Sequence, residues 1–217
     1  MLVLVFSCNE SDRNAFTNHS KKEIEVGINK TIETFMIVRA LSDSDPMFSY
    51  RKPDYNSKPL MFLSRVYFTK FKNHNAVVKT QELISQTSST GDVILQGLLY
   101  AEEFPSPTIV YELQSEYWKG KKEMLQDYLN VLEDFYIEAN VEGFIEKNKS
   151  FYQGAILETK TYLDARLIPT MEDYFGVSNE GYKIILIPNS PFGMSFGAET
   201  TADNKGQYMR FFHRQMI

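Results

Sequence analysis

Three histidines, one cysteine and scattered carboxylates are the groups from which this chain could build a reacting centre. His19, His74 and His213 lie far apart, and no two have the i, i+4 spacing that sets a pair of zinc ligands on one helical face. His74 stands between Asn73 and Asn75 at an expected helix junction, a setting that suits capping of backbone groups. His19 falls in a polar stretch, and no acidic partner follows His213. Cys8 has no second thiol to pair with, which excludes an internal disulfide and a Cys-rich zinc site. Neither a Gly-x-Ser-x-Gly elbow nor a Gly-x-x-x-x-Gly-Lys-Thr phosphate loop occurs. Glu102 with Glu103, and Glu133 with Asp134, read as solvated helical faces. Nothing in the sequence sets such a pair around a substrate as acid and base. Asn29-Lys30-Thr31 and Asn148-Lys149-Ser150 fit the glycosylation sequon at chance frequency, and a bacterial source leaves them idle.

The most suggestive segment runs from Pro188 to Glu199. Gly193 and Gly197 interleave there with Phe192 and Phe196, directly after an apolar run rich in β-branched residues. One reading is a turn whose aromatics close the core. The other is a loop at a strand end that lines a cleft, where glycine backbone admits a ligand closely. On the second reading Ser190, Pro191, Phe192, Gly193, Met194, Ser195, Phe196, Gly197 and Glu199 are the candidate lining residues.

Cys8 matters more for its position than for its chemistry. Leu2-Val3-Leu4-Val5-Phe6-Ser7 is apolar up to a small residue, then Cys8, then polar Asn9-Glu10-Ser11-Asp12. This resembles the end of a bacterial lipoprotein signal, in which the cysteine carries the lipid. The basic start of such a signal is absent, and the apolar run is shorter than the roughly 7–15 residues of a signal core. The plainer alternative is a short buried strand with an ordinary cysteine. Under the export reading residues 1–8 are a truncated signal, 9–22 a polar tether, and 23–217 a single body held beside the membrane by lipid alone. Its place is then the bacterial cell envelope.

That body must be mainly helical. The 217 residues include 43% hydrophobic and 14% aromatic side chains, enough for a substantial core. Net charge is −5 with both signs mixed, and the one dense basic cluster, Lys119, Lys121 and Lys122, runs straight into Glu123. A nucleic-acid surface calls for a basic stripe, so no nucleic-acid partner is expected. No apolar run reaches the roughly 18 residues of a membrane helix.

Glu23–Asn29 alternates as a half-buried strand does. Asn29 then caps a helix to about Asp43 that is apolar over most of its circumference and therefore buried. Met47–Lys58 reads as an ordered loop. Helices follow over about 60–72 and after Asn75. Ser89 and Asp92 suggest a capping box for the next. Phe104-Pro105-Ser106-Pro107 ends that helix, and Thr108–Leu113 reads as extended. Two long helices come next, one ending at Asn140 and one from about Glu142 past Leu167, weakened at Gly154 and broken at Pro169. A short helix to Phe175 ends at Gly176. Tyr182–Pro188 reads as a central strand, and Tyr208–Phe212 as a further one. The expected class is α+β, predominantly helical, with a few short strands in a small sheet.

Three of these stretches carry a resemblance. Glu25-Val26-Gly27-Ile28-Asn29-Lys30-Thr31-Ile32-Glu33, Phe71-Lys72-Asn73-His74-Asn75-Ala76-Val77, and the strand with its Pro191-Phe192-Gly193 loop are similar to a family of bacterial lipoproteins of unknown function. Its members look like zinc metallopeptidases of the gluzincin type. The likeness spans about residues 23–200. It implies that Ile184–Ile187 is scaffold near a cleft and that Ser190–Glu199 flanks a peptide or protein substrate. In that family a helix bearing His-Glu-x-x-His follows the matched region and holds zinc. No zinc ligand or catalytic glutamate transfers to any position here. The resemblance thus implies an inactive front part with no cofactor of its own, zinc belonging to the full-length protein. The competing reading is a non-enzymatic envelope lipoprotein that holds a peptide, glycan or partner protein in an apolar groove.

Overall fold

The computed structural model describes residues 2–7, 23–42, 59–87, 91–110, 113, 116–163, 174, 181–190, 199–202 and 205–212. In chain order these form β1 (Leu2–Ser7), β2 (Glu23–Ile28), α1 (Lys30–Leu41), α2 (Pro59–Phe68) with a 3-10 turn at Thr69–Phe71, α3 (Asn75–Thr87) and α4 (Asp92–Leu98). Then come α5 (Lys122–Glu138), α6 (Val141–Lys147), α7 (Lys149–Tyr162), β3 (Gly181–Leu186), β4 (Glu199–Ala202) and β5 (Lys205–Phe212). The architecture is α+β and predominantly helical, as the sequence periods imply.

α1 is the axis of the molecule. Asn29 starts it in extended conformation, its Oδ1 accepting the Ile32 N–H at 2.9 Å. Every residue from Thr31 to Leu41 is buried, because α2, α3, α4 and α5 all pack against this helix. A helix apolar around its whole circumference has no stable position except the middle of a core. Aromatic rings join the helices that surround it. Phe68 of α2 lies 5.0 Å from Phe144 of α6 and 5.9 Å from Phe135 of α5, tilted or edge-on as ring quadrupoles prefer.

β2 and β3 pair in parallel, with Val26 opposite Ile184 and Ile28 opposite Leu186. Val26, Ile184 and Leu186 form a second small core, covered by Ala155 and Ile156 of α7. β1 pairs antiparallel with β5, and β5 with β4, giving the order β1-β5-β4. β1 also runs alongside β3. Leu2–Ser7, which resembles the end of an export signal in sequence, is thus a strand here. Cys8 and the stretch read as a tether lie outside the described residues.

Local chemistry revises several expected boundaries. The helix expected from Glu142 past Leu167 is two helices, interrupted at Asn148 rather than weakened at Gly154. Asn148 leaves helical geometry, and its Nδ2 donates to the Phe144 carbonyl at 2.8 Å, closing α6. Gly154 continues α7 on an exposed face. Asn140 does break α5, at φ 53, and its Oδ1 caps α6 through the Gly143 N–H at 3.2 Å. α4 begins after Gly91, whose φ of 78 suits glycine. The expected capping residue Ser89, the loop Met47–Lys58 and the expected breaks at Pro169 and Gly176 lie outside the described residues. Of Thr108–Leu113, Ile109 forms a single bridge with Ala101.

Trp118 is fully buried and donates its indole N–H to the Val93 carbonyl at 2.6 Å. Its ring sits against Gly97, where an added Cβ would lie 2.7 Å from Nε1 and 3.0 Å from a methyl of Leu125. At Gly154 an added Cβ meets nothing within 4 Å. Gly97→Ala is therefore expected to lower stability by about 1–3 kcal/mol through overpacking. Gly154→Ala should raise it by about 0.5–1 kcal/mol through helix propensity and unfolded-chain entropy. Urea denaturation of the two variants beside the parent checks both signs.

Candidate functional site at the ends of the parallel strands

Where β2 and β3 end, four polar side chains from four elements meet inside the core. Glu33 comes from the first turn of α1, Ser64 from α2, Tyr152 from α7 and Asn189 from the turn after β3. Each is buried, Glu33 completely. The parallel pairing brings them together. β2 delivers the chain into α1 and β3 delivers it into the Pro188–Asn189 turn, so the first turn of the helix and the turn after the strand face one another.

Asn189 is the hub. Its Nδ2 donates to Glu33 Oε2 at 2.6 Å and lies 3.4 Å from the Tyr152 hydroxyl. Its Oδ1 accepts from the Ser64 hydroxyl at 3.0 Å. That hydroxyl also points at the Met61 carbonyl, 2.9 Å away, so its single hydrogen is shared between two acceptors. The Ser190 N–H donates to the Ile187 carbonyl at 3.0 Å and closes the turn. Glu33 Oε1, by contrast, is buried with no hydrogen-bond partner among the described residues.

The electrostatics follow from burial. Loss of water pushes the Glu33 carboxyl up from 4.5 to about 7, and hydrogen bonds from the Asn189 side chain and backbone only partly oppose this. Burial likewise raises the Tyr152 phenol, and the nearby Glu33 charge raises it further. The phenol is therefore neutral throughout the range in which Glu33 titrates. Near neutral pH one group of the cluster titrates, a carboxyl with one oxygen bonded to Asn189 and the other, among the described residues, without a partner.

Of the lining residues expected from sequence, Ser190 is buried beside this cluster. Glu199 opens β4. Pro191, Phe192, Gly193, Met194, Ser195, Phe196 and Gly197 lie outside the described residues, as do Cys8, His19 and His213. His74 is placed, and it does act as a cap. Its Nδ1 accepts the Ala76 N–H at 3.1 Å, and its Nε2 lies 3.3 Å from Glu138 Oε2. Both ring nitrogens are thereby engaged, and Phe135 stands edge-on at 5.2 Å. Among the described residues no three His, Cys, Asp or Glu side chains are grouped to hold a metal.

Glu33, Ser64 and Tyr152 escaped the sequence reading. One signal was present: Glu33 interrupts the run Ile32–Leu41, and a carboxylate in a helix apolar on every side must be buried. Asn189 lies in the segment singled out from Pro188 to Glu199, but nothing in the sequence tied it to Glu33, 156 residues away.

A second polar group lies nearer the surface. Tyr136 donates to Glu142, which also takes Lys30 Nζ at 2.9 Å. These two partners hold the Glu142 carboxyl below its ordinary value, the phenol contributing most. This group ties α1 to α5 and α6.

Comparison with known proteins returned no matching family model, no matching curated protein and no matching solved structure.

The raised Glu33 carboxyl fixes a pH dependence. The folded chain holds this proton more tightly than the unfolded chain, so the group's contribution to stability is complete below pH 4.5 and falls between 4.5 and about 7. The full difference is about 3 kcal/mol. Glu33→Gln keeps an acceptor for Asn189 and removes the titration. Chemical denaturation from pH 4 to pH 8 should show the parent losing roughly that much stability relative to the variant. Parallel stability curves would refute the assignment.

Proposed function

We propose that this chain is a binding scaffold of the bacterial cell envelope, allied to the metallopeptidase-like lipoproteins its sequence resembles, and that it takes up a peptide or partner protein where β2 and β3 end. The observation that carries this reading is the convergence of Glu33, Ser64, Tyr152 and Asn189 at the carboxyl ends of two parallel strands. Open α/β arrangements place ligands at that edge. Buried polar networks hold their members in one geometry, as a binding surface needs from the shell behind it.

The polar groups are turned inward and bonded to one another, which suits support better than reaction chemistry. None of the four is exposed as a nucleophile or base. The elements that supply them carry the apolar surface. α2, which provides Ser64, exposes Phe62, Val66 and Tyr67, and α7, which provides Tyr152, exposes Phe151 and Leu157. Aromatic and aliphatic side chains of this kind are what peptide and protein partners bury. This favours a peptide or protein over a glycan. Among the described residues no helix is long and apolar enough to cross a membrane.

The test uses the full chain immobilised and a tryptic digest of denatured casein as probe. Retention of apolar peptides is expected, and the double variant Phe62→Ser/Phe151→Ser should weaken it at least about tenfold. Ile137→Ser, on the exposed side of α5, should leave it unchanged. The thermal midpoint should be the same with and without EDTA. Retention indifferent to Phe62 and Phe151, or a chelator-sensitive fold, sinks the proposal.

A further inference from the structure

We infer that Glu33 works as a proton-operated latch: its neutral carboxyl holds the Ile187–Ser190 turn against α1, and ionisation loosens that turn at the end of β3. The inference does not depend on what the chain binds.

The geometry supplies both halves of the device. Asn189 joins the turn to three helices at once, through Glu33 on α1, Ser64 on α2 and Tyr152 on α7. Ionisation puts a full charge on a carboxyl with no access to water, and half of it falls on Oε1, which has no donor among the described residues. The bonds from Asn189 strengthen in the charged form, but burial outweighs them. The charge is relieved only when water reaches it. α1, α2 and α7 are helices held by continuous backbone bonding, and α1 is packed on every side. The turn after β3 is a cover that can open without breaking a helix. The Ser190 to Ile187 bond closes its backbone.

Few other charges bear on the carboxyl. Tyr152 faces it from α7 and is neutral across the range concerned. α2 and the turn contribute the uncharged Ser64 and Asn189. On α1 itself, Lys30 is engaged with Glu142 and Arg39 lies near Asp92. The amino-terminal charge exerts a pull weaker than either Asn189 bond. The proton equilibrium of the latch is thus set mainly by burial against Asn189.

Hydrogen exchange resolved to single amides tests this on the full chain. After correction for the intrinsic rate, protection of Asn189 and Ser190 should fall about tenfold per pH unit from 5 to 7 and level off near 8. The same amides in Glu33→Gln should show no such fall, and in the parent Asn189 and Ser190 should at every pH be less protected than amides of α1 and α5, which report global unfolding. Equal behaviour of parent and variant overturns the latch. So does protection of Asn189 and Ser190 equal to that of α1 and α5 at every pH, since the turn then opens only by global unfolding. Should Glu33→Gln fail to fold, carbon-detected NMR of the parent decides. The Glu33 carboxyl and Asn189 side-chain amide shifts must then titrate with one midpoint, and separate midpoints overturn the inference.

Discussion

The structure depends on one constraint: α1 must be dry on every side and still sit in one place. An apolar helix in an apolar sheath gains nearly the same burial at several rotations and depths, because the hydrophobic effect has no direction. Hydrogen bonds do have direction. α1 carries buried polar side chains at Thr31, Glu33 and Arg39, each joined to a segment distant in sequence. Thr31 donates to the Glu102 carbonyl and accepts the Phe104 N–H. Glu33 takes Asn189, and Arg39 lies 3.4 Å from Asp92 at the start of α4. A rotation of one residue would leave all three sets unmatched, at roughly 1–3 kcal/mol for each buried group left without a partner. The apolar residues draw α1 into the core, and these three contacts choose its register there.

The same logic extends outward. Thr80 donates its only hydroxyl hydrogen to the Ala76 carbonyl at 2.7 Å. Its 2.6 Å contact with Tyr128 must then run from the phenol to the threonine. Burial raises the Tyr128 phenol and keeps that donor in place. α3 is thereby fixed on α5 as α1 is fixed on the turn after β3. Apolar packing supplies the bulk of stability, and a few paired polar groups set which helix faces which.

This division explains what the sequence revealed. β2, α1, its Asn29 cap, α2, α3, α5 and β3 were legible because each is a local pattern: a period, a cap or a breaker. The role of His74 as a cap was legible for the same reason. The break at Asn148 was not. The apolar spacing runs through it without interruption, and the break rests on a side-chain bond to Phe144 that spacing does not encode. Leu2–Ser7 shows the opposite case, a local pattern open to two readings. An apolar run before a cysteine has the same local pattern whether it leads an exported chain or lies in a sheet, and its partner, β5, is some 200 residues away. The candidate site combines both problems. Glu33 was visible as an anomaly in an apolar helix, whereas Ser64, Tyr152 and Asn189 are ordinary residues until the fold gathers them.

A structural role alone does not account for the residue at position 33. Asn189 needs an acceptor for its Nδ2, and a glutamine side chain would supply one of the same length and shape. It would do so with no charge to desolvate and no proton to lose, its amide N–H groups taking the place of Oε1, which has no partner among the described residues. The glutamate adds a large cost above neutral pH and, below it, a second oxygen that no donor reaches. Packing and register gain nothing from either. What the carboxyl supplies and an amide lacks is a proton that can leave near pH 7, at the point where the turn after β3 is fastened to the core. Its chemistry therefore points beyond holding the fold together, to controlling how firmly that turn is held.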